Sequence, residues 1–434
     1  MRGIAQQECP RSTSAALVLG VRDEAGNEGG ATRHGAVIGK TRARSFPRIP
    51  RRTDGASPSQ PAHNDPGAFT SCSAGPFGVW VISTFGDCGQ PDRLAAPGRL
   101  GAIPVVKSLD RVRLRLDRIC RAASDIDQVF LDTPVLPCAP LGEALGCSVT
   151  LKVETLNPVR SFKGRGTETA AAVARAEGAA CVVCASAGNL GQALAYSGVR
   201  RGLEVTVVAA STANPLKVHQ IAALGADVRL EGEDIEDARW LARDIAESHG
   251  AYLVEDSLDL ATCEGAATIG LELVRDDPQL EVVLVAVGGG AMASGVGYVA
   301  RSLADHVEVI GIQPAGAPAM ALSWRQGMVV ETDRIETIAD GVAGRCPIPA
   351  VLDDLLVVLD DVVLVSEDSI RAGMRALYEH AGLVVEPSAA LGVAAVLENR
   401  ERFAGRRVTT ILCGSNVGVA DFARWVLEPA ARNT

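Results

Sequence analysis

Lys163 lies in the run Asn157-Pro158-Val159-Arg160-Ser161-Phe162-Lys163-Gly164-Arg165-Gly166, directly after the alternating segment Val149-Thr150-Leu151-Lys152-Val153-Glu154. The pattern predicts a strand that delivers a lysine into a glycine-flanked turn, with an alanine-rich helix starting at Thr167. Beside Phe162 and neighbours that offer only backbone, the amine is expected to be partly desolvated. That lowers its pKa and makes it a usable nucleophile or base. Other groups suited to chemistry follow in similar settings. Ser186-Ala187-Gly188-Asn189-Leu190 comes after Ala180-Cys181-Val182-Val183-Cys184, and Gly288-Gly289-Gly290-Ala291-Met292 after Val282-Val283-Leu284-Val285-Ala286-Val287. Cys413-Gly414-Ser415-Asn416 comes after Val408-Thr409-Thr410-Ile411. An amine, an amide, a glycine-rich anion nest and a thiol each sit where a strand runs into a small-residue turn.

Open α/β sheets bind ligands at such turns, so the elements around them decide whether one site can form. From about Val105 onward strands and helices alternate, which predicts a parallel sheet with helical crossovers. Residues 112–123 read as a basic helix and 141–145 as a short one. Strand 205–209 is paired with helix 215–224, and strand 227–230 with helix 235–248. After the glycine loop come helix 293–304, strand 307–312 and, further on, helix 367–381. No internal repeat is evident.

In this order and spacing the segments resemble the fold-type II pyridoxal-phosphate (PLP) enzymes, and among them the threonine/serine dehydratases (ammonia-lyases). The resemblance runs from Thr133-Pro134 to Asn416 and also includes Thr337-Ile338-Ala339-Asp340-Gly341 and Glu386-Pro387-Ser388, loops expected near the pyridine ring. It implies an α/β fold like the tryptophan synthase β-subunit, with two open, twisted, mostly parallel sheet lobes and PLP in the cleft. The large PLP-binding lobe would be residues 105–180 and 257–434, and the small lobe 181–256.

The same resemblance implies roles. Lys163 forms a Schiff base with PLP and, displaced by an incoming amino acid, removes its α-proton. Phe162 packs beside the ring or within the core. Asn189 bonds the 3′-oxygen of PLP. Gly288, Gly289, Gly290, Ala291 and Met292 cradle the phosphate, with a helix dipole behind them. Cys413 faces the pyridine nitrogen, where a neutral thiol makes a weaker electron sink than a carboxylate and favours elimination over transamination or racemisation. Ser186, Ala187, Gly188 and Asn189 hold the substrate carboxylate; Ser and Asn are also common helix N-caps.

The chain departs from the pattern in places. Ala291 stands where a fourth glycine is usual, and Leu190 replaces a histidine often found in dehydratases. Ala187 stands where serine racemases carry the serine that reprotonates the opposite face; a methyl group cannot donate a proton, which argues against racemase. Glu272 lies where some relatives bind a cation, but a lone helical carboxylate is usually solvated, so no metal is expected. Thr268, Lys217 and Asp340 read as structural.

The implied reaction is α,β-elimination on threonine or serine, giving a 2-oxo acid and ammonia. Threonine synthase is the alternative, because Asn157-Pro158 and Glu264-Gly265 before Thr268 resemble that family. Its substrate, O-phosphohomoserine, would need a basic cluster that the sequence does not single out. A non-catalytic PLP-fold protein is opposed by intact Lys163, Asn189 and glycine loop. The glycines also fit the dinucleotide pattern, yet the acid expected about 20 positions on is missing: Ile312 is followed by Gln313-Pro314-Ala315.

Composition bounds the partners. The 434 residues are 47 % hydrophobic, enough for a well-buried enzyme of two or three domains. A net charge of −10 argues against nucleic acid or an anionic membrane as partner. No stretch approaches the roughly 18 apolar residues that span a bilayer. The 11 cysteines are scattered, mostly within apolar runs, as in a reducing cytoplasm. Cys181 and Cys184 form a CxxC, but on a strand they face opposite ways and no second pair follows, so no metal site is read there. The expected partners are a small amino-acid substrate and further copies of the chain in a homo-oligomer.

Residues 1–104 differ from the rest. The region is rich in Gly, Pro, Ser and Arg, is basic, and lacks sustained periodicity. It reads as a disordered, dispensable extension, in which Gly78-Val79-Trp80-Val81-Ile82 is an isolated strand-like run. At the other end only residues 417–434 follow the Cys413 turn, too few for an appended regulatory domain through which isoleucine could inhibit.

Overall fold

The computed structural model describes residues 108–427, so the extension and its strand-like run lie outside the described residues. In chain order the elements are α1 (Leu116–Asp125), β1 (Val135–Pro137), α2 (Ala139–Leu145), β2 (Ser148–Val153), α3 (Lys163–Ala176), β3 (Cys181–Ala185) and α4 (Asn189–Arg200). Next come β4 (Glu204–Ala209), α5 (Pro215–Ala223), β5 (Asp227–Leu230), α6 (Ile235–His249), β6 (Tyr252–Leu253) and α7 (Leu260–Asp276). The chain continues with β7 (Val282–Ala286), α8 (Ala291–Leu303), β8 (Glu308–Pro314), α9 (Ala319–Gln326), α10 (Pro349–Val358) and β9 (Asp361–Val365). It closes with α11 (Glu367–Ala381), α12 (Leu391–Glu398), α13 (Arg400–Phe403), β10 (Arg407–Leu412) and α14 (Val419–Val426).

The strands form two mostly parallel sheets, the pairing being the one the alternation predicts and the two lobes those the resemblance implies. A six-stranded sheet has the order β1-β2-β10-β7-β8-β9 and a four-stranded sheet the order β5-β4-β3-β6. Only β1 runs antiparallel to its neighbour. Every residue of β7 is buried, as a central strand covered by helices on both faces must be. The larger apolar core lies around β7, β8 and β10; a second lies beneath the smaller sheet around Val182, Cys184, Val205 and Val207. No helix of the described residues is long and apolar enough to cross a membrane.

Boundaries differ from the sequence expectation where packing overrides local preference. α3 begins at Lys163, not Thr167, because its glycines serve contact rather than a turn. A Cβ at Gly164 would lie 2.1 Å from the Phe130 ring, and one at Gly166 would lie 2.7 Å from the Thr262 carbonyl oxygen. Likewise α8 starts at Ala291, earlier than residue 293. The N-terminal helix covers only α1, since Leu109–Arg111 form a separate short 3-10 turn.

Alternation in β2 is also misleading, because the polar residues at and just beyond its C-terminal end do not face water. Lys152, Glu154 and Arg165 are fully buried. Arg165 donates to both Glu154 oxygens at 2.8 and 2.9 Å, to Glu272 at 2.6 and 2.9 Å and to Thr268 at 2.9 Å. Lys152 donates to Glu272 and to the Thr133 carbonyl oxygen. Glu272 is therefore not the solvated carboxylate expected from a lone acid on a helix. Burial alone would raise its carboxyl, but Arg165 and Lys152 outweigh burial and hold it below the usual range. Two cations and two anions thus join β2, α3 and α7, and Thr268 belongs to that structural network. Glu272→Gln should leave a buried cation short of a partner and cost about 3 kcal/mol of stability. Urea denaturation followed by tryptophan fluorescence checks it, with a midpoint shift and unchanged slope expected.

Candidate active site

Register brings the lysine turn and the Cys413 turn together. β2 and β10 run parallel with Val153 opposite Leu412, so both end at the same level. Beyond them Ser161 and Gly414 form a bridge, Phe162 N–H donates to the Cys413 carbonyl oxygen at 3.0 Å, and Ser415 N–H donates to that of Arg160 at 2.9 Å. The Asn157 amide ties the turn from within, donating to the Glu154 and Ser161 carbonyl oxygens at 2.8 and 3.1 Å.

Lys163 opens α3, with Nζ 4.7 Å from the centre of the Phe162 ring. Its surroundings are not backbone alone, as the sequence led us to expect. Nζ lies 2.5 Å from Asp256 Oδ2, forming an ion pair. Asp256 follows β6 in a loop from the other sheet, a contact between residues 93 positions apart.

A cavity of about 520 Å³ opens above Lys163, and two helices aim their N-termini at it. α4 is capped by Gly188 without a side-chain hydrogen bond, so Asn189 is its first helical residue rather than its cap. Ser186 Oγ accepts from Gly188 N–H at 3.1 Å. A Cβ at Gly191 would lie 2.1 Å from the Ser186 carbonyl oxygen, so only glycine lets the loop fold back over the helix start. α8 is capped by Gly290 at φ 109°, a conformation that favours glycine. Ala291 is already helical and needs no positive φ, so the missing fourth glycine leaves the loop intact. Ala291 N–H donates to Ser257 Oγ at 3.0 Å. The amides of Gly288, Gly289 and Gly290 have no hydrogen-bond partner among the described residues and remain available to an anion.

The far wall carries a buried acid. Asn189 Nδ2 donates to both Glu386 oxygens at 2.9 and 3.1 Å, and Asn416 N–H donates to one of them at 3.2 Å. Asn416 Nδ2 donates to Asn189 Oδ1 at 2.7 Å, fixing that amide's orientation. Burial pushes the Glu386 carboxyl up to about 7 against the pull of the Asn189 hydrogen bond, with Asp340 adding repulsion. Burial, and then Glu386, also push the Cys413 thiol up, so it stays protonated.

Lys163, Phe162, Ser186, Ala187, Gly188, Asn189, Gly288, Gly289, Gly290, Ala291, Met292 and Cys413 all line this one cavity. Asp340, Gly341, Glu386 and Ser388 line it too, and Ser388 Oγ is buried without a partner. Lys217 and Asp340 pair at 2.6 Å at its edge. Asp256, Arg239 and Arg345 also line it and were missed in the sequence. Each sits in a loop or helix rich in other charges, so nothing local distinguishes it. The set fits a phosphorylated aldehyde cofactor. It supplies an amine to bond, unpartnered amides at a helix start for the phosphate, and an unpartnered hydroxyl.

The unfolded chain releases the Glu386 proton near 4.5, whereas the folded chain keeps it up to about 7. Between those values the folded state binds more proton, so stability should fall as pH rises through that window, by on the order of 3 kcal/mol. Below it both states are protonated and the loss is absent. Glu386→Gln should flatten this slope, as measured by thermal melting of the cofactor-free protein across the window.

Comparison with known proteins agrees with this geometry. Residues 126–414 match the family described as "Pyridoxal-phosphate dependent enzyme". The chain is 35 % identical over 307 residues to L-threonine ammonia-lyase of Thermotoga maritima, covering 70 % of this chain and 76 % of that protein. The processed form of threonine deaminase isoform 2 from Solanum lycopersicum superposes with a TM-score of 0.65 at 27 % identity, over 72 % of this chain and 93 % of that one. Maize serine racemase superposes with a TM-score of 0.68 at 26 % identity, over 71 % of this chain and 95 % of that one. The chain belongs to the pyridoxal-phosphate dependent enzymes of fold-type II, in their threonine/serine dehydratase branch.

Proposed function

We propose that this lyase eliminates water from L-threonine and L-serine, releasing an unsaturated amine that hydrolyses to a 2-oxo acid and ammonia. Pyridoxal phosphate, when bound, takes up the electron pair left by a bond broken at the amino acid's Cα. The chain supplies binding, orientation and proton transfer. Amides at the start of α4, with Ser186 Oγ, would hold the substrate carboxylate against the helix dipole. Gly288, Gly289 and Gly290 would hold the cofactor phosphate, and Asn189 would bond the 3′-oxygen by giving up one of its two hydrogen bonds to Glu386. Lys163 Nζ takes the α-proton.

One observation carries elimination over racemisation: the buried Cys413 thiol stays protonated in the cavity that holds Lys163. Facing the pyridine nitrogen, it would not hold a proton there as a carboxylate would. Ala187, whose methyl lines the cavity, gives no proton to the opposite face. Arg239 and Arg345 on the cavity wall favour, as a second reading, a phosphorylated substrate such as O-phosphohomoserine. We place the enzyme in the cytoplasm as a homo-oligomer, a reading supported by its scattered cysteines and by the resemblance.

Release of 2-oxo acid from threonine and serine, set beside release of inorganic phosphate from O-phosphohomoserine, tests the reading. Threonine and serine should turn over; turnover of O-phosphohomoserine alone would favour the second reading. Lys163→Ala should fold yet lose both the visible absorption of lysine-bound cofactor and all turnover, and wild-type-like rates in it would sink the assignment. Cys413→Ser should keep most elimination activity. Cys413→Asp should diminish it and raise side reactions, followed by steady-state rates and by spectra during turnover.

A further inference from the structure

We propose that Asp256 is a positioning residue for Lys163: its carboxylate receives the released amine and balances the charge that Nζ acquires on taking the α-proton. The proposal rests on the reading above for the reaction, but its geometry stands by itself. Asp256 Oδ2 lies 2.5 Å from Nζ in a partly enclosed pair, 16 % and 30 % exposed at the lysine and aspartate side chains. A pair so placed is screened less than one at the surface.

The pair does not look like a structural tie. Glu154 and Glu272, which are structural, have both carboxylate oxygens engaged by donors. Asp256 Oδ1 is buried and has no partner. An acid held this way is satisfied only in part, and its one ion pair among the described residues is to the amine that does the chemistry.

The backbone that holds Asp256 is itself under constraint. The next residue, Ser257, is buried at φ 67°, a left-handed conformation that a serine holds only when its surroundings over-determine it. Here they do. Ser257 N–H donates to Thr262 Oγ1 at 3.2 Å, and its carbonyl oxygen accepts from Arg113 at 3.2 Å. Arg113 is in turn fixed by the fully buried Asp354, at 2.9 and 2.8 Å. Ser257 Oγ meanwhile accepts from Ala291 N–H beside the glycine cradle. One strained residue therefore sets both the counter-charge of Lys163 and the position of the cradle.

The proton balance follows. The neutral amine forms an N–H bond to the α-proton as the C–H bond breaks, and the electron pair stays with the substrate carbon. Nζ becomes a cation next to Asp256 Oδ2, already in place to meet it. With threonine or serine the proton passes from Nζ to the departing β-hydroxyl, which leaves as water; with alanine it exchanges with solvent and a proton returns to Cα.

Asp256→Asn tests this with two readouts. In the cofactor-free protein, an amine paired with a carboxylate is a poor nucleophile. Acylation of Lys163 by an amine-selective reagent, followed by peptide mass spectrometry, should run about fivefold faster in the variant. In the loaded enzyme, exchange of the L-alanine α-proton in deuterium oxide, followed by proton NMR, should slow by about tenfold or more, with alanine affinity nearly unchanged. Asp256→Glu should recover part of that rate. Alanine has no leaving group, so a wild type that exchanges it but releases no 2-oxo acid from threonine would count against elimination alone. Unchanged lysine acylation in Asp256→Asn would overturn the proposal. So would exchange within about twofold of wild type, or a lost rate that Asp256→Glu does not recover.

Discussion

The cluster of Lys152, Arg165, Glu154 and Glu272 is the constraint on which the rest of the site depends. Arg165 lies two residues beyond Lys163, so whatever fixes its guanidinium fixes the first turn of α3. That guanidinium is held by a carboxylate just beyond β2 and by another on α7. Fully buried charges are costly unless every donor and acceptor is met, and here nearly all are, with Thr133 and Thr268 completing the set. A small shift of α3 would break several of these bonds at once. The lysine therefore stands on a rigid base although it opens a helix containing two glycines.

Above that base the site works mainly through dipoles and neutral groups. Two helix starts and unpartnered glycine amides offer positive potential without mobile side chains. The groups on the far wall, Glu386 and Cys413, are both pushed toward their protonated forms by burial. Negative charge on a bound substrate or cofactor would thus meet oriented backbone first. Ionised side chains line the cavity as well: the Lys163–Asp256 and Lys217–Asp340 pairs, Arg239 and Arg345.

Much of this was legible in the sequence, for a physical reason. The lysine turn, the Ser186 loop, the glycine loop and the Cys413 turn are local signals, each a strand ending in small residues, and the parallel sheets bring their ends together. What escaped was set by distant contacts. Lys152 and Glu154 alternate as if facing solvent, yet the strand is covered on both sides. Asp256 shares its loop with Glu255 and Asp259, and only the fold tells which acid meets the amine. The start of α3 was misjudged because glycine reads as a turn when it is there to admit Phe130 and α7.

The packing around Glu386 also bears on how this site can drift over evolutionary time. A Cβ at Gly414 would lie 2.5 Å from the Glu386 carboxyl carbon, and one at Gly341 would lie 2.8 Å from Ser388 Oγ and 3.3 Å from Glu386 Oε1. The acid is boxed between two positions that hold no side chain. Gly414 cannot gain a methyl group while the glutamate stays, whereas Gly341 is closed first by Ser388 Oγ, so a shorter residue at 386 would open space only at 414. Substitutions here are therefore expected to arrive as a pair, so descendants of this chain should show positions 386 and 414 changing together or not at all.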